Sequence, residues 1–189
     1  KRGMMKRFLA ESLKELMLQK SFEKITIKQI CDKTGVIRAT FYNYFEDKYA
    51  ALSYIIYLDT VETALPYIEK RQFLQAVKAM LDNFVENREF YQIAFRITGQ
   101  NSFEDLFEEN VQQLFTEMFR RYGRPEKLGT MSEEELAGYF GNSLCYTVNH
   151  WLCRSRGMDS ETFLKQYGSV VTSSIFDFLD MPLGGGNGA

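Results

Sequence analysis

Residues Ile25–Leu52 read ITIKQICDKTGVIRATFYNYFEDKYAAL. Thr26 and Gln29 stand three apart in the T-x-x-Q pattern of a capping box, which opens a helix by satisfying orphan N–H groups reciprocally. Ile27, Ile30 and Cys31 line the inner face of that helix. Gly35 follows it, the residue best able to take the left-handed conformation that ends a helix. A second short helix is expected over about 38–45. On it Phe41 and Phe45 are four apart, share a face and should pack inward. Arg38, Ala39, Thr40, Tyr42, Asn43 and Tyr44 are left outside. Glu46 and Asp47 then begin the next helix, where acids complement the helix dipole.

Two short helices joined by a glycine turn match a helix-turn-helix. In that motif the second helix lies in the major groove and its first residues meet base edges. The exposed set suits that task. Arginine bonds guanine or phosphate, threonine meets a phosphate or a thymine methyl, asparagine pairs with adenine, and a tyrosine hydroxyl bonds phosphate. The plainer alternative is a helical hairpin with ordinary surface tyrosines.

Outward from this stretch the pattern is helical. Met5, Phe8, Leu9, Ser12, Leu13, Leu16 and Met17 recur at three and four, giving a first helix over roughly 4–20. The helix after Asp47 runs to near Pro66, which should end or kink it. Amphipathic segments follow at about 72–87, 89–98, 102–122, 132–155 and 160–180. Ser132 with Glu135 repeats the capping box. Gly157 and Asp159 read as the stop of one helix and the cap of the next. The expected fold is all-α, of about nine helices. A three-helix DNA-binding head spans 1–46, a larger sensing and dimerisation body 47–181, and a flexible tail 182–189.

The chain's 189 residues carry a net charge of −2, unevenly placed. Residues 1–50 hold eleven Lys and Arg against six Asp and Glu, a net of +5, while the remainder stands at −7. A basic head on an acidic body is the asymmetry of a protein that meets a polyanion at one end. No apolar run reaches the roughly 18 residues of a membrane span, and no secretory pattern is seen. Three cysteines make no disulfide framework, so a cytoplasmic location is expected. There is no phosphate-binding glycine loop or nucleophile elbow, and a single histidine, His150, limits base chemistry. No catalytic site, metal or cofactor is expected. Cys145, His150 and Cys153 lie near one another, but Cys145 and His150 are off the spacing that aligns two ligands. Nothing marks Cys145 or Cys153 as a lowered-pKa thiol. The remaining rival is a helical interaction module whose head binds protein. Steep salt dependence of binding to duplex DNA separates the two.

The string from Thr26 to Leu52 resembles the N-terminal DNA-binding domain of the tetracycline-repressor (TetR) family of bacterial regulators. Thr26, Ile30, Gly35, Val36, Thr40, Tyr42, Tyr44, Phe45, Lys48 and Leu52 meet the family pattern in register. The resemblance implies that Thr26 and Lys28 touch phosphate and that Arg38, Ala39, Thr40 and Asn43 face the groove. It implies that Tyr42 and Tyr44 contact backbone phosphates and that Lys48 holds another. Two positions depart from the pattern. Cys31 stands where a small residue is usual and fits as a small buried hydrophobe. Ile37 stands where Ser or Thr usually caps the recognition helix. Ile cannot cap, so a less rigid helix is expected.

The resemblance also implies a homodimer on double-stranded DNA, with an effector site in the body, most often releasing a repressor from a palindrome. A two-fold pair sets two recognition helices about 34–36 Å apart. The last two helices are the natural interface. The expected contact residues are Gly141, Leu144, Cys145, Val148 and Leu152 on the first, and Phe163, Tyr167, Val170, Val171, Ser174 and Phe178 on the second. These stripes also suit an intramolecular core. The middle of the chain is rich in rings. If they line a pocket, its residues are Tyr91, Phe95, Phe107, Tyr139 and Tyr146, with Asn142 or His150 as polar handles. The stretch NHWLCRSRGMDSETF, residues 149–163, is loosely similar to regulators of the dihydroxyacetone-kinase type. In that subgroup a protein co-regulator can replace the small effector, and activation can replace repression.

Overall fold

The computed structural model describes residues 2–123, 130–154 and 157–172. Among them are nine helices and no strand. The head has α1 (Arg2–Met17), a single 3-10 turn (Phe22–Lys24), α2 (Ile27–Thr34) and α3 (Arg38–Tyr42). Helix α4 runs on in three parts, Lys48–Tyr57, a π turn Leu58–Glu62 and Thr63–Ile68. The body continues with α5 (Phe73–Glu86), α6 (Arg88–Ala94), α7 (Phe103–Tyr122), α8 (Glu133–Arg154) and α9 (Ser160–Thr172).

Local chemistry accounts for the boundaries. Thr26 closes its capping box: Gln29 N–H donates to its hydroxyl at 3.3 Å, and its own N–H donates to the Gln29 side chain at 3.0 Å. Gly35 takes φ 75°, ψ 32°, the left-handed stop expected of it. Asp47 caps α4 by accepting from Ala50 N–H at 2.8 Å. Ser132 and Glu135 pair reciprocally at the start of α8, and Asp159 accepts from Thr162 N–H at 2.8 Å at the start of α9. A third capping box, Ser102 with Asp105, opens α7.

Several boundaries differ from the sequence pattern, α1 ending at Met17 rather than 20 among them. Helix α3 stops at Tyr42 rather than 45, because the N–H groups of Tyr44 and Phe45 both turn back to Phe41 O. Helix α6 stops at Ala94 rather than 98; the chain then turns through Gly99 and Asn101 at positive φ. Pro66 does not stop α4. Its ring displaces the carbonyl four residues back, and the ladder just before it has widened into the π turn. Side-chain hydroxyls cover carbonyls there: Thr63 donates to Leu58 O at 3.0 Å and Thr60 to Ile56 O at 2.6 Å. The helix closes instead at Arg71, which sits at φ 57° while Gln72 N–H donates to Tyr67 O at 2.8 Å. A left-handed non-glycine residue costs about 1 kcal/mol.

One continuous core runs from Leu9 on α1 to Tyr167 on α9. Phe41 and Phe45 are both buried in it, as their spacing predicts, whereas Phe8 points to solvent with 54% exposure. In the body, Phe84, Phe90, Tyr91, Phe95, Phe103 and Phe107 interlock, with ring centroids 4.8–6.4 Å apart and mostly edge to face. Helices α7 and α8 form the most extensive pair. The tail, Ser174 and Phe178 lie outside the described residues.

Candidate functional site

Helix α3 rests on α2 through buried Phe41 and turns its other face outward. Arg38, Ala39, Tyr42 and Asn43 are exposed together, and Thr26 and Lys28 at the start of α2 are exposed as well. Thr40 and Tyr44 are half-buried, and Tyr44 packs against the core. Its inward turn follows from α3 ending early: residues 43–45 leave the helical spiral, so Tyr44 no longer continues the outer face.

Lys48 departs from the expected role. Its ammonium donates to Phe22 O at 2.8 Å, Ile25 O at 3.1 Å and Glu23 O at 3.2 Å, and lies 4.5 Å from the Phe22 ring centroid. An ammonium has three donors, so all are spent inside the chain. Burial lowers its pKa, with Glu23 and Asp47 opposing. Lys48 therefore clamps the 3-10 turn that feeds Thr26 into α2, and holding a phosphate requires releasing that clamp. Lys48→Met should lower stability by about 2 kcal/mol through three lost charge-assisted bonds. Chemical denaturation of both proteins tests this.

Ile37, at the N-cap position, is 72% exposed and caps nothing with its side chain. Ile37→Ser should raise stability by about 1 kcal/mol. A melting midpoint no higher than that of the parent would sink the idea that α3 lacks a cap.

Head and body are tied where α1 crosses the π turn of α4. Lys14 Nζ lies 3.1 Å from Asp59 Oδ2, and Tyr91 OH on α6 donates to the same oxygen at 2.8 Å. Arg7 pairs with Glu62 one turn further on. Lys6 Nζ sits 4.1 Å from the Tyr54 ring centroid. The Lys14 and Asp59 side chains are only 11% and 16% exposed. Sequence pattern missed this cluster, because its members are 45 and 32 residues apart.

The body residues expected to line one pocket fall into two separate groups, although Tyr146 and His150, with ring centroids 6.4 Å apart, do line one cleft beside α9. Tyr91 and Phe107 are fully buried in the interlocked ring cluster, with Phe95 at its edge. Tyr139, Asn142, Tyr146 and His150 lie instead on the outer face of α8, with Tyr139 68% and Tyr146 69% exposed. Conversely, most of the described residues expected at a dimer interface are inside the chain. Gly141, Leu144, Cys145, Val148 and Leu152 are buried. A Cβ at Gly141 would stand 3.4 Å from Gln112 Cα, so that glycine admits α7 rather than a second copy. Phe163 stacks on Trp151 at 4.4 Å and Tyr167 stacks on Phe163 at 6.0 Å. Of the expected α9 contacts, Val170 is exposed and Val171 half-buried. Burial raises the pKa of Cys31, Cys145 and Cys153. Among the described residues no three His, Cys, Asp or Glu side chains gather as a metal-binding group. No helix described is long and apolar enough to cross a membrane.

A capped helix, a left-handed glycine turn and a short helix with a polar outer face, set on a helical body, define a DNA-binding transcription regulator. Residues 11–54 match the model of bacterial regulatory proteins of the tetR family, and residues 71–173 match that of a transcriptional regulator C-terminal region. The chain belongs to the TetR family. It is 29% identical over 101 residues to the HTH-type dhaKLM operon transcriptional activator DhaS of Lactococcus lactis subsp. lactis (strain IL1403). That match spans 53% of this chain and 53% of the curated relative, about half the length of each. The solved structure of the dihydroxyacetone kinase operon activator DhaS superposes with a TM-score of 0.65 at 22% identity, over 88% of this chain and 93% of that one. A TetR-family regulator from Syntrophomonas wolfei str. Goettingen gives 0.66 at 16% identity, over 90% and 94%. Thermus thermophilus FadR, a TetR-family repressor solved with lauroyl-CoA, gives 0.62 at 14%, over 97% and 100%.

Proposed function

We propose that this protein is a homodimeric repressor that occupies a palindromic operator in the cytoplasm and leaves it when an effector binds the body. The observation that carries the reading is the outer face of α3. Arg38, Ala39, Tyr42 and Asn43 stand exposed above a buried Phe41, beside exposed Thr26 and Lys28. Arg38, Ala39, Thr40 and Asn43 read base edges, while Thr26, Lys28, Tyr42 and Tyr44 hold phosphates. The FadR complex supports an effector, since a repressor of similar fold was solved with a small molecule bound.

The dimer forms on the outer stripe of α8. Tyr139, Asn142, Tyr146 and His150 recur at helical spacing, and Val170 of α9 is 55% exposed. Exposed large rings in one row mark an interaction surface. Tyr146→Arg should halve the mass measured by sedimentation at micromolar concentration; an unchanged mass would remove this face as the interface.

A change in the body reaches the head through the π turn, whose Asp59 and Glu62 grip α1. An effector lowers DNA affinity only by its differential affinity for the two arrangements. A second reading, activation with a protein co-regulator, is favoured by the sequence likeness to the activator DhaS. The test is recovery of fragmented genomic DNA on the protein, beside Tyr42→Ala, at two salt concentrations. Enrichment of a few palindromes that is lost in the variant is expected. Uniform recovery that vanishes with salt would leave only non-specific charge and revive the interaction-module reading. Placing a recovered site before or across a promoter and measuring transcription separates repression from activation.

A further inference from the structure

Among the clefts that open on the body, two are of similar size. One, of about 620 Å³, runs along α4 and α7 and is walled by polar and charged groups. Its Arg120 and Arg121 already pair with Glu117. The other, of about 590 Å³, lies where the end of α4 meets α5, α7, α8 and α9. Its walls are rings: Phe73, Phe115, Phe119, Tyr122 and Phe140 line it, with centroids of Phe115, Phe119 and Phe140 5.9–6.3 Å apart.

Among the described residues Arg71 is the only charged side chain lining this second cleft. Its guanidinium stands 5.4 Å from the Tyr122 ring centroid. No carboxylate pairs with it among the described residues. Its backbone has φ 57°, a left-handed helix stop that glycine fills without strain. The turn needs a left-handed residue but not an arginine, so keeping a strained arginine there points to a task for its side chain. The volume suits a small ligand, and ligand sites are mostly apolar with a few placed polar groups. Arginine offers a planar fork matched to a carboxylate.

We propose that this cleft binds a small amphipathic carboxylate, its apolar body between the rings and its acid group on Arg71. The identity of the effector class rests on the effector-controlled reading above, but occupancy of the cleft is tested apart from it. The probes are 1-anilinonaphthalene-8-sulfonate, an aromatic anion, and N-phenyl-1-naphthylamine, its uncharged counterpart, titrated by fluorescence into the full chain. The anion should bind the parent at least tenfold more tightly than the amine. Arg71→Gly should bring the two to within about threefold, a loss of at least about threefold for the anion with the amine unmoved, from the one charge-assisted bond removed. The same variant should melt higher than the parent, since glycine relieves the turn, so misfolding cannot explain the loss. Arg71→Lys should fall between. Leu136→Trp, which fills the cleft and keeps Arg71, should weaken both probes. Equal affinity for the two probes, or an anion affinity unmoved by Arg71→Gly, would overturn the proposal, as would Leu136→Trp without effect. DNA binding of the ligand-free protein is measured alongside. A parent protein that shows no probe preference while its DNA binding is intact overturns the cleft alone. Probe preference as predicted, with DNA binding indifferent to the anion, supports the cleft and refutes effector control through it.

Discussion

Asp59→Ala is expected to lower stability by about 3–5 kcal/mol, because it strands the Lys14 ammonium between α1 and the body without its carboxylate. Lys14 as a whole residue is 9% exposed, and its other near neighbour is the face of Phe90, with Nζ 5.1 Å from the ring centroid. A buried pair costs desolvation on both sides, so its removal as a pair is far gentler than removal of one member. Lys14→Met with Asp59→Leu should therefore regain most of the loss. Urea melts of the parent, the single variants and the pair make the double-mutant cycle that checks it. A single variant within 1 kcal/mol of the parent would mean that water reaches Lys14. Tyr91 adds a pH signature. Burial first, then Asp59, raises its pKa well above the ordinary phenol value. The unfolded chain then loses this proton first, so the contribution is whole below about pH 10 and is lost as pH rises beyond it. Each pH unit above that removes up to about 1.4 kcal/mol. Tyr91→Phe should flatten part of the alkaline slope. Tyr167, pushed up to about 12 by burial, supplies another part.

The second large effect concerns DNA. Arg38→Ala should weaken binding to a recovered palindrome by roughly a hundredfold, at about 1–3 kcal/mol for each of two heads. The direction of the salt response tells which partner Arg38 has. If it holds phosphate, the slope of log affinity against log salt falls by about two for the proposed dimer. If it reads guanine, discrimination against a substituted base pair falls more than the slope. Anisotropy titrations of matched and singly substituted duplexes at several salt concentrations separate the cases. Affinity and slope both unchanged would remove Arg38 from the interface and with it the orientation assigned to α3.

The head was legible in the sequence because its determinants are local. A capping box, a glycine stop and a pair of phenylalanines four apart each act within one or two helical turns, and the chain obeys them at Thr26, Gly35, Phe41 and Phe45. Local rules failed where a partner lies far along the chain. Lys48 fits a phosphate contact by position, yet its three donors close on carbonyls 23–26 residues earlier. Tyr44 was expected outside, but α3 ends one turn early and tucks it in. Arg71 carries no signal at all until its turn, the Tyr122 ring and the cleft are seen together.

By itself, then, the sequence determined an all-α chain, the order and approximate ends of its helices, and a helix-turn-helix with a polar outer face. Periodicity of 3.6 residues and end-capping chemistry suffice for that. Tertiary structure decided which stripe of α8 faces which neighbour. That helix carries one apolar stripe through Leu144 and Val148 and another through Tyr139 and Tyr146, and hydrophobic spacing is the same whether a stripe meets its own chain or something else. Packing against α7 claimed the first, where Gly141 allows close approach, and left the second to solvent. Burial is a property of the pair of surfaces, and one surface alone cannot specify it.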